Sequence, residues 1–249
     1  MDGSKTSVGV ILPDDGPFDY EWLRLEPWLA ESRYHDVTCL VQRSPADGIM
    51  AEENLKAIGA VDALGPCARK LRKADAEVLL WACTSGSFVK GYSGARRQLE
   101  ELSALGGCPA TSTSIAMAEA MHSIGADKVD LLSAYSDPVT ALLVDFLRDS
   151  GIAVGLVSSL GCDVTEESFA IDIEREVSSF AEEYPSPLPI LVPDTAINTL
   201  DLLGRLEAAA GRVVVTANQA SLWHAVYLIR GGGEDIVRAF QCTDSREPA

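Results

Sequence analysis

Short apolar runs recur along this chain, and the stretches between them carry apolar residues at helical spacing. That alternation belongs to βαβ units built around parallel sheets. The runs predict strands at 8–12, 37–41, 78–81, 129–133, 153–157, 188–192 and 213–216. The periodic stretches predict helices at 20–31, 52–58, 66–71, 87–105, 115–124, 138–150, 168–183, 197–210 and 220–229.

The second half repeats the pattern of the first. Val8-Gly9-Val10-Ile11-Leu12-Pro13 and Val129-Asp130-Leu131-Leu132-Ser133-Ala134-Tyr135 each open a half, and in that register Cys83-Thr84 falls on Asp194-Thr195. Pro109-Ala110-Thr111-Ser112-Thr113-Ser114 falls on Val213-Val214-Val215-Thr216-Ala217-Asn218, each ahead of a helix. The repeat predicts two similar α/β units related by a pseudo-twofold axis. The chain is expected to cross between them near 113–119 and to return from Asn218, so that one lobe holds 1–114 plus 218–249 and the other 115–217. Ligands of such sheets bind beyond the carboxyl ends of the strands, and two facing units enclose a crevice there.

Composition narrows the partners. With 249 residues and 47% apolar content the chain can fill a full core. Its formal charge of −17, from 37 acidic against 20 basic residues, repels phosphate backbones and anionic membrane surfaces. Nucleic acid and membrane are therefore not expected as partners, while a small anion held by local N–H and hydroxyl groups is compatible with this charge. The expected location is cytoplasmic, since neither a basic n-region with a long apolar h-region nor an apolar stretch of about 20 residues is seen. Six cysteines (Cys39, Cys67, Cys83, Cys108, Cys162, Cys242) lack CxxC or Cys/His spacing, so neither zinc nor a disulfide framework is expected, and most should be buried free thiols.

Candidate chemistry collects at the strand ends. Leu79-Leu80-Trp81-Ala82 delivers Cys83, followed by Thr84-Ser85-Gly86-Ser87 at an expected helix N-terminus. The helix end would lower the thiol pKa, and the same N–H groups with the Thr84 and Ser85 hydroxyls can hold a carboxylate. The competing reading is an inert buried cysteine beside a helix cap. Ile190-Leu191-Val192-Pro193 delivers Asp194, then Thr195. An Asp there is either an ordinary N-cap or, opposite the thiol, a desolvated carboxyl with a raised pKa that transfers a proton. Tyr135 ends the first strand of the second unit and either donates its phenol into the crevice or only packs. Pro13-Asp14-Asp15-Gly16, in the equivalent place of the first unit, reads as an acidic turn. His224, beside Trp223, reads as a core histidine; with His35 and His122 the only others, no Ser-His-Asp or Cys-His constellation follows. Asn218-Gln219 reads as a helix cap and Gly231-Gly232-Gly233 as a helix stop.

Ala82-Cys83-Thr84-Ser85-Gly86-Ser87, the 108–114 segment, Ser133-Ala134-Tyr135, Asn198-Thr199-Leu200-Asp201 and the 217–224 segment follow the order of motifs in the aspartate/glutamate racemase superfamily. The chain resembles in particular its maleate cis-trans isomerase and arylmalonate decarboxylase branch. The resemblance implies an α/β fold of two pseudo-symmetric Rossmann-like lobes with parallel four-stranded sheets, an active site in the cleft between them, and no cofactor or metal. It also implies a small carboxylate substrate and a homo-oligomer, dimer or tetramer. Racemases and isomerases of this kind use two cysteines on opposite faces of the substrate. Cys83 matches the first, and Asp194 stands at the second. The decarboxylase pattern retains the second cysteine instead, so neither template transfers whole. A subgroup associated with ectoine utilisation is similar in carrying Pro-Asp-Thr at the second position, here Pro193-Asp194-Thr195.

The leading expectation is an isomerase acting beside a carboxylate, with Cys83 as nucleophile or base and Asp194 as the opposing acid/base. Thr84, Ser85, Tyr135 and the N–H of Thr195 are expected to bind substrate oxygens. A decarboxylase is the alternative enzyme, and a carboxylate-binding protein without turnover the alternative of another class.

Overall fold

The structure, a computed structural model, describes residues 5–18 and 20–240. Cys242 and the outer ends of the 1–114 and 218–249 ranges lie outside the described residues. Four strands form the first sheet: β1 (Thr6–Asp14), β2 (Val37–Pro45), β3 (Val78–Trp81) and β4 (Ala110–Ser112), in the order β2-β1-β3-β4 and parallel throughout. The second sheet holds β5 (Lys128–Tyr135), β6 (Ala153–Cys162), β7 (Ile190–Val192) and β8 (Val214–Thr216) in the order β6-β5-β7-β8, again parallel. The same order appearing twice is the repeat seen in the sequence.

The inner strands β1, β3, β5 and β7 are buried on both faces, as parallel sheets require, while the edge strand β2 is half-buried and the edge strand β6 largely exposed. In the first sheet Val8, Val10, Leu12, Val78 and Leu80 point into one apolar cluster, with Trp22, Leu25, Leu222 and Val226. Ile11, Leu79 and Trp81, offset by one residue, point into the other, which continues through Leu131, Leu132 and Ile190 of the second sheet. The two lobes therefore share a core. Helix Ala217–Arg230 follows β8 yet lies against β1, β3 and β4 of the first sheet and against helix Thr113–Ser123. It starts with a capping box on Thr216 and Gln219 and ends on Gly231 in the left-handed conformation. The cap is thus Thr216, two residues before the expected Asn218.

Several boundaries differ from expectation for local reasons. β4 was not expected, because Ala110-Thr111-Ser112 is no apolar run; the Thr111 hydroxyl is satisfied inside the protein, 2.8 Å from His224 Nδ1. The 87–105 helix is two helices, Ser85–Phe88 and Gly91–Gly106, parted at Gly91 with φ +68°. The 168–183 helix is likewise Thr165–Phe169 and Ile173–Glu183, and the 20–31 helix is a 3-10 turn, Glu21–Leu23, followed by Leu25–Glu31. The helix expected from 197 begins only at Leu203, and a short helix not foreseen, Ile236–Phe240, follows the glycine stop. The described cysteines are free, with Cys67, Cys83 and Cys162 buried and Cys39 and Cys108 half-buried. None of the described helices is long and apolar enough to cross a membrane.

The second sheet contains a buried ion pair. Arg212 Nη1 lies 2.6 Å from Asp130 Oδ2, with side-chain exposures of 8% and 0%. It also donates to Leu188 O at 2.9 Å, while Asp130 Oδ1 accepts the Leu156 N–H at 2.9 Å. Arg212→Ala leaves a fully enclosed carboxylate unpaired, and is expected to lower unfolding free energy by about 3 kcal/mol in a denaturant titration.

Candidate active site

The ends of β3 and β7 meet and bind each other. After Trp81 the chain runs through Ala82, Cys83 and Thr84 into the one-turn helix Ser85–Phe88; after Val192 it runs through Pro193, Asp194 and Thr195. The Asp194 N–H donates to Thr84 Oγ1 at 3.3 Å, and the Thr195 hydroxyl donates to the Ala82 carbonyl at 3.2 Å. Each repeat thus uses its threonine on the backbone of the other. The two strand ends that the repeat sets in register are therefore in physical contact.

Cys83 is 5% exposed. Its sulfur accepts the Gly86 N–H at 3.4 Å and lies 3.9 Å from Ser85 Oγ. Burial pushes its pKa up to about 12; the Gly86 N–H works the other way, and the charges of Asp15 and Asp194 add to the rise. The sequence argument for a lowered thiol pKa is therefore corrected. The helix beginning at Ser85 has one turn, too little dipole to offset desolvation.

Asp194 is buried and holds φ at +94°, a left-handed conformation unfavourable for any residue with a Cβ. Its Oδ1 accepts the Ala196 N–H at 3.0 Å. Oδ2 passes Ser168 Oγ without a hydrogen bond of good geometry. Burial raises its pKa to about 6, opposed by the Ala196 N–H and aided by the charge of Asp15. This agrees with the desolvated carboxyl expected from the sequence. It is no N-cap, because the next α-helix begins nine residues on at Leu203.

Cys83, Ser85, Asp194 and Thr195 line one pocket, whereas Thr84 and Tyr135 stand behind its wall. Tyr135 is fully buried, its ring edge-on to Phe88 at 5.6 Å. Its phenol faces the Thr84 and Ser85 hydroxyls without closing a well-aligned hydrogen bond to either. Desolvation, with Asp194 and Cys83 nearby, keeps it a neutral donor. His224 is a core residue, as read from sequence, and burial lowers its pKa to about 4. Among the described residues no group of three or more His, Cys, Asp or Glu is placed to hold a metal ion.

Two acidic residues of the site escaped the sequence reading. Asp15, read as part of a turn, lies on the pocket wall, its oxygens accepting the Tyr20 hydroxyl at 2.8 Å and the Thr165 hydroxyl at 3.0 Å. The place of the 13–16 turn at the strand end equivalent to that of Tyr135 was the available signal. Glu21 is buried beneath the Asp194 loop. It accepts the N–H groups of Thr199 and Leu200 at 3.0 and 2.9 Å and the side chain of Asn218, which also donates to the carbonyls of Thr195 and Ile197. Burial raises the Glu21 pKa to about 7, against those donors. This clamp holds 195–200 as a loop where helical periodicity had suggested a helix.

The mouth of the pocket is crossed by hydrogen bonds between the lobes. Met50 N–H donates to Asp163 O and Thr165 N–H to Gly48 O, both at 2.9 Å. The free space inside is about 30 Å³, room for about one water molecule.

Asp194→Asn separates stability from chemistry. A carboxyl with its folded pKa raised above the unfolded value stabilises fully below about pH 4 and loses that contribution as pH rises through about 6. At pH 8 the buried charge is a cost that the neutral amide removes. The variant should therefore be more stable by about 1–3 kcal/mol at pH 8, with the gain vanishing at pH 4, as read from thermal melts.

The sequence model of the arylmalonate decarboxylase family matches residues 48–237. An arylmalonate decarboxylase from Bordetella bronchiseptica is 30% identical over 171 residues, covering 67% of this chain and 71% of that protein. A maleate isomerase from Pseudomonas putida is 23% identical over 176 residues, covering 63% and 66%. The fold superimposes on a liganded arylmalonate decarboxylase double mutant with a TM-score of 0.77 at 26% identity, over 92% of this chain and 94% of that one. With the same paired parallel sheets and a family match across both lobes, this chain belongs to the arylmalonate decarboxylase family, in the racemase-like branch that also holds maleate isomerase.

Proposed function

We propose that this protein is a cofactor-independent isomerase, of the maleate isomerase or racemase type, acting at the carbon beside the carboxylate of a small organic acid. The observation that carries the reading is a thiol and a desolvated carboxyl brought into one pocket by repeat-equivalent strand ends. Their pKa values, about 12 and about 6, divide the labour at neutral pH. Asp194 is ionised and takes the proton; Cys83 is a thiol and gives one from the opposite face. As the C–H bond breaks, its electron pair moves into the carboxylate as an enediolate. The Ser85 hydroxyl and the Thr195 N–H hold those oxygens, with Thr84 and Tyr135 behind them as neutral donors. Protonation by the thiol then completes the inversion or positional change. In an addition route Cys83 attacks instead as thiolate, which its burial disfavours until substrate binds.

Decarboxylation is the second reading, favoured by the 30% identity to a protein of that activity. It needs only one acid, because loss of carbon dioxide itself generates the enediolate that Cys83 would protonate.

Maleate and substituted malonates incubated in deuterated water and followed by NMR distinguish the two. Exchange at carbon or geometric conversion without loss of carbon dioxide is the expected result; carbon dioxide release would transfer the assignment to decarboxylation, and ligand binding with no turnover would make this a binding protein. Cys83→Ala should reduce turnover by about 10²–10⁴-fold with an unchanged melting curve, and near-normal turnover would sink the mechanism. Because the base must be ionised, kcat/KM should rise with pH through about 6, and this limb should be absent in Asp194→Asn.

A further inference from the structure

We propose that Ser168 is a positioning residue for Asp194: its hydroxyl donates to Oδ2 while the carboxyl is ionised and accepts from Oδ2 once a substrate proton has arrived there. The inference rests on the reading of Asp194 as the base and names the group that aims it.

The backbone of Asp194 and one of its oxygens are already fixed. Its N–H donates to Thr84 Oγ1, and Oδ1 accepts the Ala196 N–H at 3.0 Å. A backbone N–H can only donate, so Oδ1 stays unprotonated and a proton taken from substrate sits on Oδ2. Oδ2 has no partner, and Ser168 Oγ, fully buried beside it, has none either. A buried donor and acceptor left unpaired each forfeit their solvation. Rotation of the Ser168 or Asp194 side chain closes the pair and removes that cost.

A hydroxyl suits a base that cycles between two states, because it both donates and accepts. On its other side Ser168 meets the Cys162 thiol, which burial keeps protonated. Sulfur is a weak acceptor, so the hydroxyl turns to Oδ2 while Asp194 is ionised. When Oδ2 holds the substrate proton, the hydroxyl accepts from it and donates to Cys162 Sγ. No bond of Ser168 breaks in this exchange; the proton stays on Oδ2 and only the hydroxyl turns.

The helix that carries Ser168 is tied to the first lobe. Thr165, three residues earlier and so on the same face, gives its hydroxyl to Asp15 Oδ2 and its N–H to Gly48 O. One helical turn thus reaches both carboxyls of the pocket. Ser168 is not on the pocket wall, so it acts through Asp194. The titratable groups that face Asp194 are Asp15 and Tyr20 beyond β1, Cys83 beyond β3, Tyr135 in β5 and Cys162 in β6.

The test is a titration of the full chain, carrying carbon-13 at its aspartate carboxyl carbons, followed by NMR. The Asp194 signal is the one lost in Asp194→Asn. Ser168→Ala removes a donor to the charged form, so the Asp194 pKa should climb above the wild-type value by at least about 1. A site merely loosened by the substitution would admit water and move the value down toward the ordinary carboxylate range, so the sign separates the donor from a structural role. An unchanged or lowered value overturns the proposal. Ser168→Gly removes the same hydroxyl and takes over the measurement if the alanine variant does not fold. This readout needs no turnover, which keeps the two ideas apart. Where exchange at carbon occurs in deuterated water, the rising limb of kcat/KM should move to higher pH by the same amount. A raised value with no exchange refutes the proposed reaction and leaves Ser168 as the partner of Asp194; exchange with the value unmoved refutes the role of Ser168.

Discussion

The reciprocal pair of hydrogen bonds between Thr84 and Asp194 N–H, and between Thr195 and the Ala82 carbonyl, is the contact on which the site depends. Two parallel sheets facing each other bring strand ends, with their unspent backbone groups, into a space too dry to solvate them. Buried N–H and C=O groups must find partners. Here each lobe supplies the hydroxyl that the other lacks. The spacing of thiol and carboxyl is then set by backbone contacts across the cleft, and the shared apolar core behind them resists any change in that spacing. The left-handed backbone of Asp194 is tolerable because so much around it is fixed. Glu21 and Asn218 hold the following loop, and Thr84 holds its N–H.

Charge in this region is arranged against stability. Glu21 and Asp194, at about 7 and about 6, both have folded pKa values raised by burial. Each contributes stabilisation that is complete below about pH 4 and declines as pH climbs through those values. At neutral pH the site therefore carries negative charge in a place that would be more comfortable without it. Such a cost, retained around a pocket, is typical of functional sites. Nothing comparable is found at Asp130, whose carboxylate has Arg212 as a partner.

How much of this could be read from the chain depends on whether a feature is local or tertiary. Apolar runs gave seven of the strands, most directly the inner ones, where burial of both sheet faces writes itself as consecutive apolar residues. β4 did not show, since its three residues are not an apolar run and its Thr111 hydroxyl is satisfied by a histidine more than a hundred residues away. The Cys83/Asp194 correspondence was legible through the repeat. The thiol pKa was misjudged because a helix start was visible while the helix's one-turn length and the depth of burial were not. Asp15 and Glu21 are polar residues in polar stretches, and only folding brings one to the pocket and the other beneath the Asp194 loop.

Replacing a thiol by a carboxyl at one of two symmetric positions breaks more than sequence symmetry. Two matched thiols could exchange roles at little cost, so that either face of a substrate meets a base as readily as an acid. In the proposed reaction one turnover, with a proton passing from substrate to Asp194 and another from Cys83 to substrate, starts from the favoured protonation state and ends in one with a neutral carboxyl and a thiolate. The separation of the two pKa values makes that final state the less stable one, and the proton must return from Asp194 to Cys83 before another turnover in the same sense.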